Sequence, residues 1–592
     1  MGDQEDKMNQ GVASVNNSVN STDSNHSKLF HFYAFSENLS SSVYLRWLLI
    51  IFLPLLILLK YQVDRVDCDL WWHMAHGKYY LTHHTLKMDL SIFSWTPTDP
   101  TWIYNTCLGS IAIYLFYNFM GGFGLWLMQW LVFGGIFLSF YLFLRLINQR
   151  LDINSGTIIA TIAIGCYTAC RFYKPELFSA LLFCWIVFIF FYVKIKRAKY
   201  LFYLYPLIFA LWVNLHGAFV VGLTFLALAF TGEVLNRIFF TRESLTIGEL
   251  LHFGGAFILS GAATLLNPYG VDYLLNLSPT IMSAIGFKSH TGEYEWLIDK
   301  YALSYENLWP YLKHAGLASI DNCLTAWIMT IMMLSVLSLS VFDLIRKRSC
   351  DFAVLIMSLA LYWEGMETSR ASYFFPIVFF FIFFYLLIHR LKFKNIPVRA
   401  SIFSLLVFIS FFISILLLTM KYGADNKWFG AGIDGYAPVK EVEFLKKSRL
   451  EGPIFNDYGI GGYLTWNLYP DYKVLIDPRG ALYRNQVFPD YVALTTKRLN
   501  KEEIRRFREK YPFKIAVIHY RQLDLIFDFL QADGEWRLLY FERNAAILIH
   551  KSLFPLIRWE SINANLSPLR FARERNPETL ANVFNIYIFF NP

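Results

Sequence analysis

Apolar residues along this chain come in long blocks rather than in alternation. Runs of roughly 15–22 residues, the length a helix needs to cross hydrocarbon, are separated by short polar stretches. The first run covers 44–59. Further runs predict helices at 125–144, 157–170, 177–193, 201–213, 218–235, 250–266, 324–342, 352–363, 373–388 and 400–420, about eleven spans in all. The stretch 106–120 is apolar but short, rich in tyrosine and closed by Gly121-Gly122. It reads as an amphipathic helix lying along the outer interface.

Past residue 421 the pattern changes. An amphipathic helix is predicted at 439–447, and short apolar runs follow at 454–455, 473–476, 514–518, 538–540 and 545–549. They alternate with helix-like segments at 501–510 and 523–530, which is the signature of an α/β domain. Residues after 552 carry no clear periodicity. At the other end, residues 1–42 are rich in Asn, Ser and Asp and read as a disordered tail. No signal peptide is expected, because the first apolar run starts late and lacks a small-residue cleavage site. The division is therefore a 1–42 tail, a 43–420 membrane domain with outer loops at 61–124 and 271–322, and a 421–592 α/β domain. The expected fold class is an α-helical polytopic membrane protein with that α/β domain attached.

Composition agrees with the pattern. The 592 residues are 56% hydrophobic and 17% charged, against about 25% charged in soluble domains. The net charge of +8 then suits loops facing an anionic leaflet rather than nucleic acid. Basic residues cluster at Arg145/Arg150, Lys194–Lys199, Arg237/Arg242, Arg346–Arg348 and His389–Lys394. Lys and Arg in short loops stay cytoplasmic, so an even number of crossings separates successive clusters. That places the N-terminus inside and the 421–592 domain outside a plasma (inner) membrane. Seven cysteines without a CxxC pair argue against a zinc or haem site. Cys68 and Cys107 fall on the outer side, where a disulfide is chemically available, but spacing alone does not bring them together.

Candidate chemistry gathers on that outer side. Directly after the first run come Asp67-Cys68-Asp69-Leu70-Trp71-Trp72-His73. Tryptophan suits the water–lipid interface, whereas paired carboxylates at the edge of hydrocarbon are costly. In an extended segment Asp67 and Asp69 share a face and suit a divalent cation such as Mg or Mn through oxygen ligands; on a helix they diverge. Either one also suits general base work, and Asp69, abutting the tryptophans, is expected to gain basicity from desolvation. His73 reads more readily as a hydrogen-bond partner than as a ligand. The other outer apices carry Arg171-Phe-Tyr-Lys174-Pro-Glu, Asn214-Leu-His216-Gly, Asn267-Pro-Tyr-Gly and Arg370, and the longer loop holds Glu293 and Glu295. Arg171, Lys174 and Arg370 are cations where few are expected, which suits an anion such as phosphate. A structural salt bridge is the plainer alternative.

Asp67-Cys-Asp69-Leu-Trp-Trp-His73, followed by Gly77 and Asp89-x-x-x-Phe93-Ser94, resembles the first outer loop of bacterial multipass proteins of the GT-C glycosyltransferase superfamily. Arg171-x-x-x-Pro175-x-x-Phe178-Ser179, Trp212-x-Asn214-x-His216-Gly217 and Asn267-Pro268-x-Gly270 are similar to patterns of the same bacterial families. The acidic motif also resembles that of oligosaccharyltransferase catalytic subunits and protein O-mannosyltransferases. Phe455-Asn456-Asp457-Tyr458-Gly459 resembles the Trp-Trp-Asp-Tyr-Gly acceptor motif, with both tryptophans replaced, so recognition of a peptide sequon is not carried over. Gly461-Gly-Tyr-Leu-x-Trp466 and Ile476-Asp477-x-Arg479-Gly480 resemble a core segment of the bacterial families.

The resemblance implies a GT-C-like membrane fold and a polyprenyl-phosphate-linked sugar as donor. It also implies an outer-loop Asp, here Asp69 or Asp67, as base or metal ligand. Under that reading Arg171, Lys174 and Arg370 hold the donor phosphate and the acceptor lies outside the cytoplasm. Two readings compete: a transporter or flippase of lipid-linked sugars, and a non-catalytic envelope assembly protein. A transporter places ionisable groups mid-span, whereas the enzyme gathers them at the outer face.

Overall fold

The computed structural model describes residues 68–147, 173–240, 244–284, 307–313, 320–392, 437–496, 501–522, 525–526, 528–529, 535–541 and 544–556. The runs at 44–59, 157–170 and 400–420 lie outside the described residues, as do the tail, Asp67, Arg171, Glu293, Glu295 and half of 523–530.

Helix α1, Cys68–Thr82, carries the Asp69 to His73 motif in its first turns. Helix α2, Cys107–Leu146, breaks at Gly121, whose φ of 58° and ψ of −142° leave the helical region. Only glycine takes such a backbone without steric cost. Next come α3, Glu176–Lys196, α4, Leu204–Leu215, α5, Phe219–Phe239, α6, Ile247–Ala263, and α7, Val271–Ala284. Then follow α8, Ile320–Lys347, α9, Phe352–Glu367, and α10, Phe374–Phe384, which runs into a π turn over Tyr385–Arg390.

Among the described residues five stretches are long and apolar enough to cross a membrane: Cys107–Leu125, Leu127–Leu146, Glu176–Lys196, Phe219–Phe239 and Thr325–Lys347. Shorter apolar helices cover Lys199–Leu215, Ile247–Ala263 and Phe374–Arg390. The stretch expected to lie along the interface, 106–120, is thus the start of a segment with the length and apolarity of a span.

Helix α3 sits at the centre, packed against α2, α4 and α10. Its Phe183, Cys184, Val187, Phe190 and Phe191 are fully buried. Phenylalanine rings fill the gaps, with Phe183 edge-on to Phe374 at 4.8 Å and Phe140 stacked on Phe380 at 4.1 Å. Edge and offset contacts of this kind add about 0.5–1.5 kcal/mol each beyond area burial.

The C-terminal portion holds α11, Val439–Ser448, α12, Tyr458–Leu468, α13, Val487–Thr496, and α14, Lys501–Lys510. With them go β1, Ile454–Asn456, β2, Ile515–His519, β3, Trp536–Phe541, and β4, Ala545–His550. The sheet order is β1-β2-β4-β3, with β1 parallel to β2 and the other pairs antiparallel. Residues 473–476 do not form the expected strand. Val474 makes isolated bridges to Ile454 and to Ser94 of the first outer loop.

That bridge is one of several ties between the loop after α1 and the sheet. Trp95 donates its indole N–H to the Ile454 carbonyl at 2.9 Å, and Thr96 Oγ1 donates to the Leu475 carbonyl at 2.6 Å. Tyr80, Met88, Leu90 and Phe93 share one apolar core with Phe455, Leu475, Tyr483 and Phe513. Helix α12 lies directly on α1, where a Cβ on Gly462 would come within 2.5 Å of the Cys68 carbonyl. The loop after α1 and the C-terminal sheet are therefore one packed body.

Candidate functional site

Helix α1 begins with Asp69 in its first turn, where an acid is favoured by the helix dipole. Its carboxylate accepts from Trp72 Nε1 at 3.0 Å and meets Lys174 Nζ at 2.7 Å. Lys174 precedes Pro175, the residue that caps α3, and Glu176 opens that helix. Glu176 Oε1 accepts from Arg370 Nε at 2.6 Å and also from Arg370 Nη2. Arg370 lies in the turn Ser369–Ala371 between α9 and α10. His216 follows α4 in extended backbone and places Nε2 3.9 Å from Glu176 Oε1. The structure thus brings Asp69, Lys174, Arg370 and His216 to one end of the bundle, with Glu176 among them.

Aromatic rings wall this cluster. His73 stacks on Trp72 with ring centroids 3.6 Å apart, Tyr104 meets Trp72 edge-on at 5.5 Å, and Trp102 stacks on Tyr104 at 5.5 Å. His73 Nδ1 is bonded to Ser110 Oγ at 3.0 Å. Burial pushes the His73 imidazole down to about 3 and the His216 imidazole down to about 4, so both are neutral near pH 7. Burial also raises the Tyr104 phenol. Two carboxylates therefore face two cations beside two neutral imidazoles.

The expectation that desolvation raises the basicity of Asp69 is reversed. Burial does push its pKa up, but the Lys174 ammonium, its hydrogen bond and that of Trp72 outweigh it and hold the carboxyl at about 2. An ammonium contact at 2.7 Å also leaves Asp69 a poor fit for a cation. Its expected partner, Asp67, lies outside the described residues. Among the described residues no three His, Cys, Asp or Glu converge to hold a metal ion. Cys68 and Cys107 are not joined in a disulfide.

The remaining sequence candidates do other things. Asn214 Nδ2 donates to the Leu266 carbonyl at 2.7 Å and to the Ala210 carbonyl at 2.9 Å, stapling α4 to the end of α6. Asp477 and Arg479 form a fully buried pair at 2.6 Å, joined by Tyr483 Oη at 2.8 Å. Arg479 Nη1 also donates to the Leu90 carbonyl at 2.6 Å. This pair fastens the outer loop to the sheet. Asp457 caps α12, accepting from the Gly459 amide at 2.9 Å, and burial raises its pKa to about 6. Arg171, Glu293 and Glu295 lie outside the described residues.

Glu176, Ser179 and Tyr104 belong to the cluster although the sequence did not mark them as site residues. Glu176 carried one usable signal, a carboxylate directly after proline at the start of an apolar run. Tyr104 carried none, since its place depends on how the outer loop folds over α1.

No protein-family model matches the chain, and no curated protein is similar to it in sequence. Among solved structures, the chain is similar to the archaeal oligosaccharyltransferase AglB from Archaeoglobus fulgidus in complex with an inhibitory peptide and a dolichol-phosphate. The TM-score is 0.49 at 13% identity, over 81% of this chain and 70% of that chain. The likeness is distant, and no chemistry is transferred on it.

Proposed function

We propose that this chain is a membrane glycosyltransferase that moves a sugar from a polyprenyl-phosphate-linked donor to an acceptor on the outer side of the membrane. The observation that carries the reading is the cluster of Asp69, Lys174, Glu176 and Arg370. It gathers two cations and two carboxylates at one end of the bundle, walled by Trp72, Trp102 and Tyr104. Lys174 and Arg370, with Arg171, hold the donor phosphate, arginine as a fork and lysine as a point charge. Asp69, with Asp67 ahead of it, keeps Lys174 aimed into the site, and a carboxylate of the cluster accepts the acceptor's proton. The flat aromatic faces suit a sugar ring.

A flippase is less well supported, because the ionisable groups of α3 lie at its two ends, Glu176 and Lys194, rather than at mid-span. The test is transfer by the purified full chain from radiolabelled polyprenyl-phosphate sugars, with Asp69→Asn and Lys174→Met as variants. Loss of transfer in both, with folding kept, is the expected result. Full transfer by both variants would refute the assignment of this cluster.

A further inference from the structure

The hydrogen-bond chain behind Glu176 fixes more than its position. Trp212 Nε1 donates to Ser179 Oγ at 2.8 Å, and an indole N–H is a donor only. Ser179 therefore spends its single hydroxyl proton on the other partner, His216 Nδ1, 2.9 Å away. The Ala218 amide N–H also points at that nitrogen, at 3.4 Å. Nδ1 is thus an acceptor, and the neutral imidazole carries its proton on Nε2, the nitrogen that faces Glu176 Oε1 at 3.9 Å. That separation is too long for a hydrogen bond but short enough that a small shift of the carboxylate would close it.

The ion pair on the other side is one-sided. Arg370 Nε and Nη2 both donate to Glu176 Oε1, whereas a locked arginine–carboxylate pair uses both oxygens in a fork. Among the described residues Oε2 accepts no hydrogen bond, and it is not among the sealed polar atoms of the interior. The Glu176 side chain is 12% exposed and that of Arg370 is 35% exposed. Both therefore keep some solvent access, Arg370 more than Glu176.

We infer that Glu176 is the carboxylate that takes the acceptor's proton, held on Arg370 until the donor phosphate claims that guanidinium, with His216 as the positioning residue for the freed carboxylate. This rests on the glycosyl-transfer reading. A phosphate oxygen and Glu176 compete for the same donors, so donor binding releases the base as it loads the site. The freed carboxylate then accepts from His216 Nε2–H and turns Oε2 to the acceptor. In the transfer step the acceptor oxygen forms its bond to the anomeric carbon and its proton passes to Glu176. The bond between that carbon and the phosphate oxygen breaks, and the phosphate leaves with the electron pair.

The test uses the full chain, with sugar-free polyprenyl phosphate as the binding probe and a radiolabelled polyprenyl-phosphate sugar as the transfer substrate. Glu176→Gln should lose transfer by at least about 10²-fold, the usual cost of a positioned base, while binding polyprenyl phosphate as tightly as wild type or more tightly. His216→Ala should lower kcat roughly tenfold at unchanged KM, with part recovered by His216→Gln, whose amide N–H replaces the donor. Transfer by Glu176→Gln within about threefold of wild type would overturn the inference and leave the glycosyl-transfer reading standing. Loss of polyprenyl-phosphate binding in a folded Glu176→Gln protein would also overturn it, since Glu176 would then be a scaffold for Arg370. A wild type that neither binds the probe nor transfers sugar would remove the functional reading itself. Should Glu176→Gln not fold, the two His216 variants decide, and equal kcat in both at the wild-type value refutes the inference.

Discussion

Helix α3 ends in a charge cluster at each side, and the two are built differently. Eighteen residues, about 27 Å of helix, separate Glu176 from Lys194, close to the roughly 30 Å of a hydrocarbon core. At the far end Lys194 meets Asp351 at 2.9 Å and is paired with Glu233, while Arg390 meets Asp343 at 2.5 Å and Asp351 at 3.6 Å. Asn236 bonds Asp351 at 2.8 Å and accepts from the Phe352 amide at 2.7 Å. Lys194, Glu233, Asp343, Asp351 and Arg390 are each at most 4% exposed. This network fastens α3, α5, α8, α9 and the π turn to one another. The cluster at the Glu176 end is 12–35% exposed and balanced pair by pair. It is walled by rings rather than sealed by helices. Charges that are closed in hold a bundle together, and charges left at an opening are available to a substrate.

The contrast is broken most directly at Lys194. Lys194→Met strands Glu233 without its cation, leaves Asp351 only the 3.6 Å cation contact with Arg390, and should cost about 3–5 kcal/mol, the price of breaking a buried pair. Lys174→Met, at the more exposed cluster, should cost less than Lys194→Met, because solvent screens part of the Lys174–Asp69 pair. Thermal unfolding midpoints in detergent measure both, and equal losses would erase the distinction.

Arg370→Gln sharpens it from the other side. Transfer should fall roughly 10²–10³-fold, as when one preorganised donor is removed, with the unfolding midpoint nearly unchanged. A variant that loses stability as much as activity would make Arg370 a structural cation like Arg390.

Acid should act first on the cluster at the Glu176 end. His73 and His216 titrate near 3 and 4 in the folded chain, below their ordinary value near 6.5. Between those values the unfolded chain binds more protons, so stability falls as pH drops below about 6.5. Asp69, held at about 2, stabilises the fold above its ordinary value near 4 and loses that contribution as pH falls toward 2. Unfolding midpoints at pH 7, 5.5 and 4.5 should decline in turn, and His73→Asn should flatten the decline. A flat wild-type profile would contradict the burial of these imidazoles.

The smallest effect is expected at Asp457, a buried carboxylate that belongs to neither cluster. Its folded pKa of about 6 lies above the ordinary value, so its contribution to stability is lost as pH rises from about 4 through 6. Asparagine caps a helix as well as aspartate does. Asp457→Asn should therefore raise the midpoint slightly at pH 8 and leave it unchanged near pH 4. A lower midpoint at pH 8 would show that the charged form is the one the fold requires.

The sequence by itself determined the helices, because a run of apolar residues long enough to span hydrocarbon has few other stable forms. The expected segments at 177–193 and 324–342 fall within Glu176–Lys196 and Ile320–Lys347, and that at 218–235 matches Phe219–Phe239 to one residue at its start. Basic segments separated by about 200 residues, at Lys194 and Arg390, meet at Asp351. Several site candidates were legible for the same reason: an ionisable residue at a helix apex has little choice of surroundings. The tertiary structure alone decided their partners. Asp69 became a weak base because Lys174, 105 positions away in sequence, lies against it. Residues 473–476 gave up their strand because Ser94 and Ile454 bridge Val474 from two directions. Glu176 joined the site because Arg370 and His216 arrive there from other helices. Periodicity is a local property of the chain, whereas a pKa or an ion pair is set by whatever packing brings within a few ångströms.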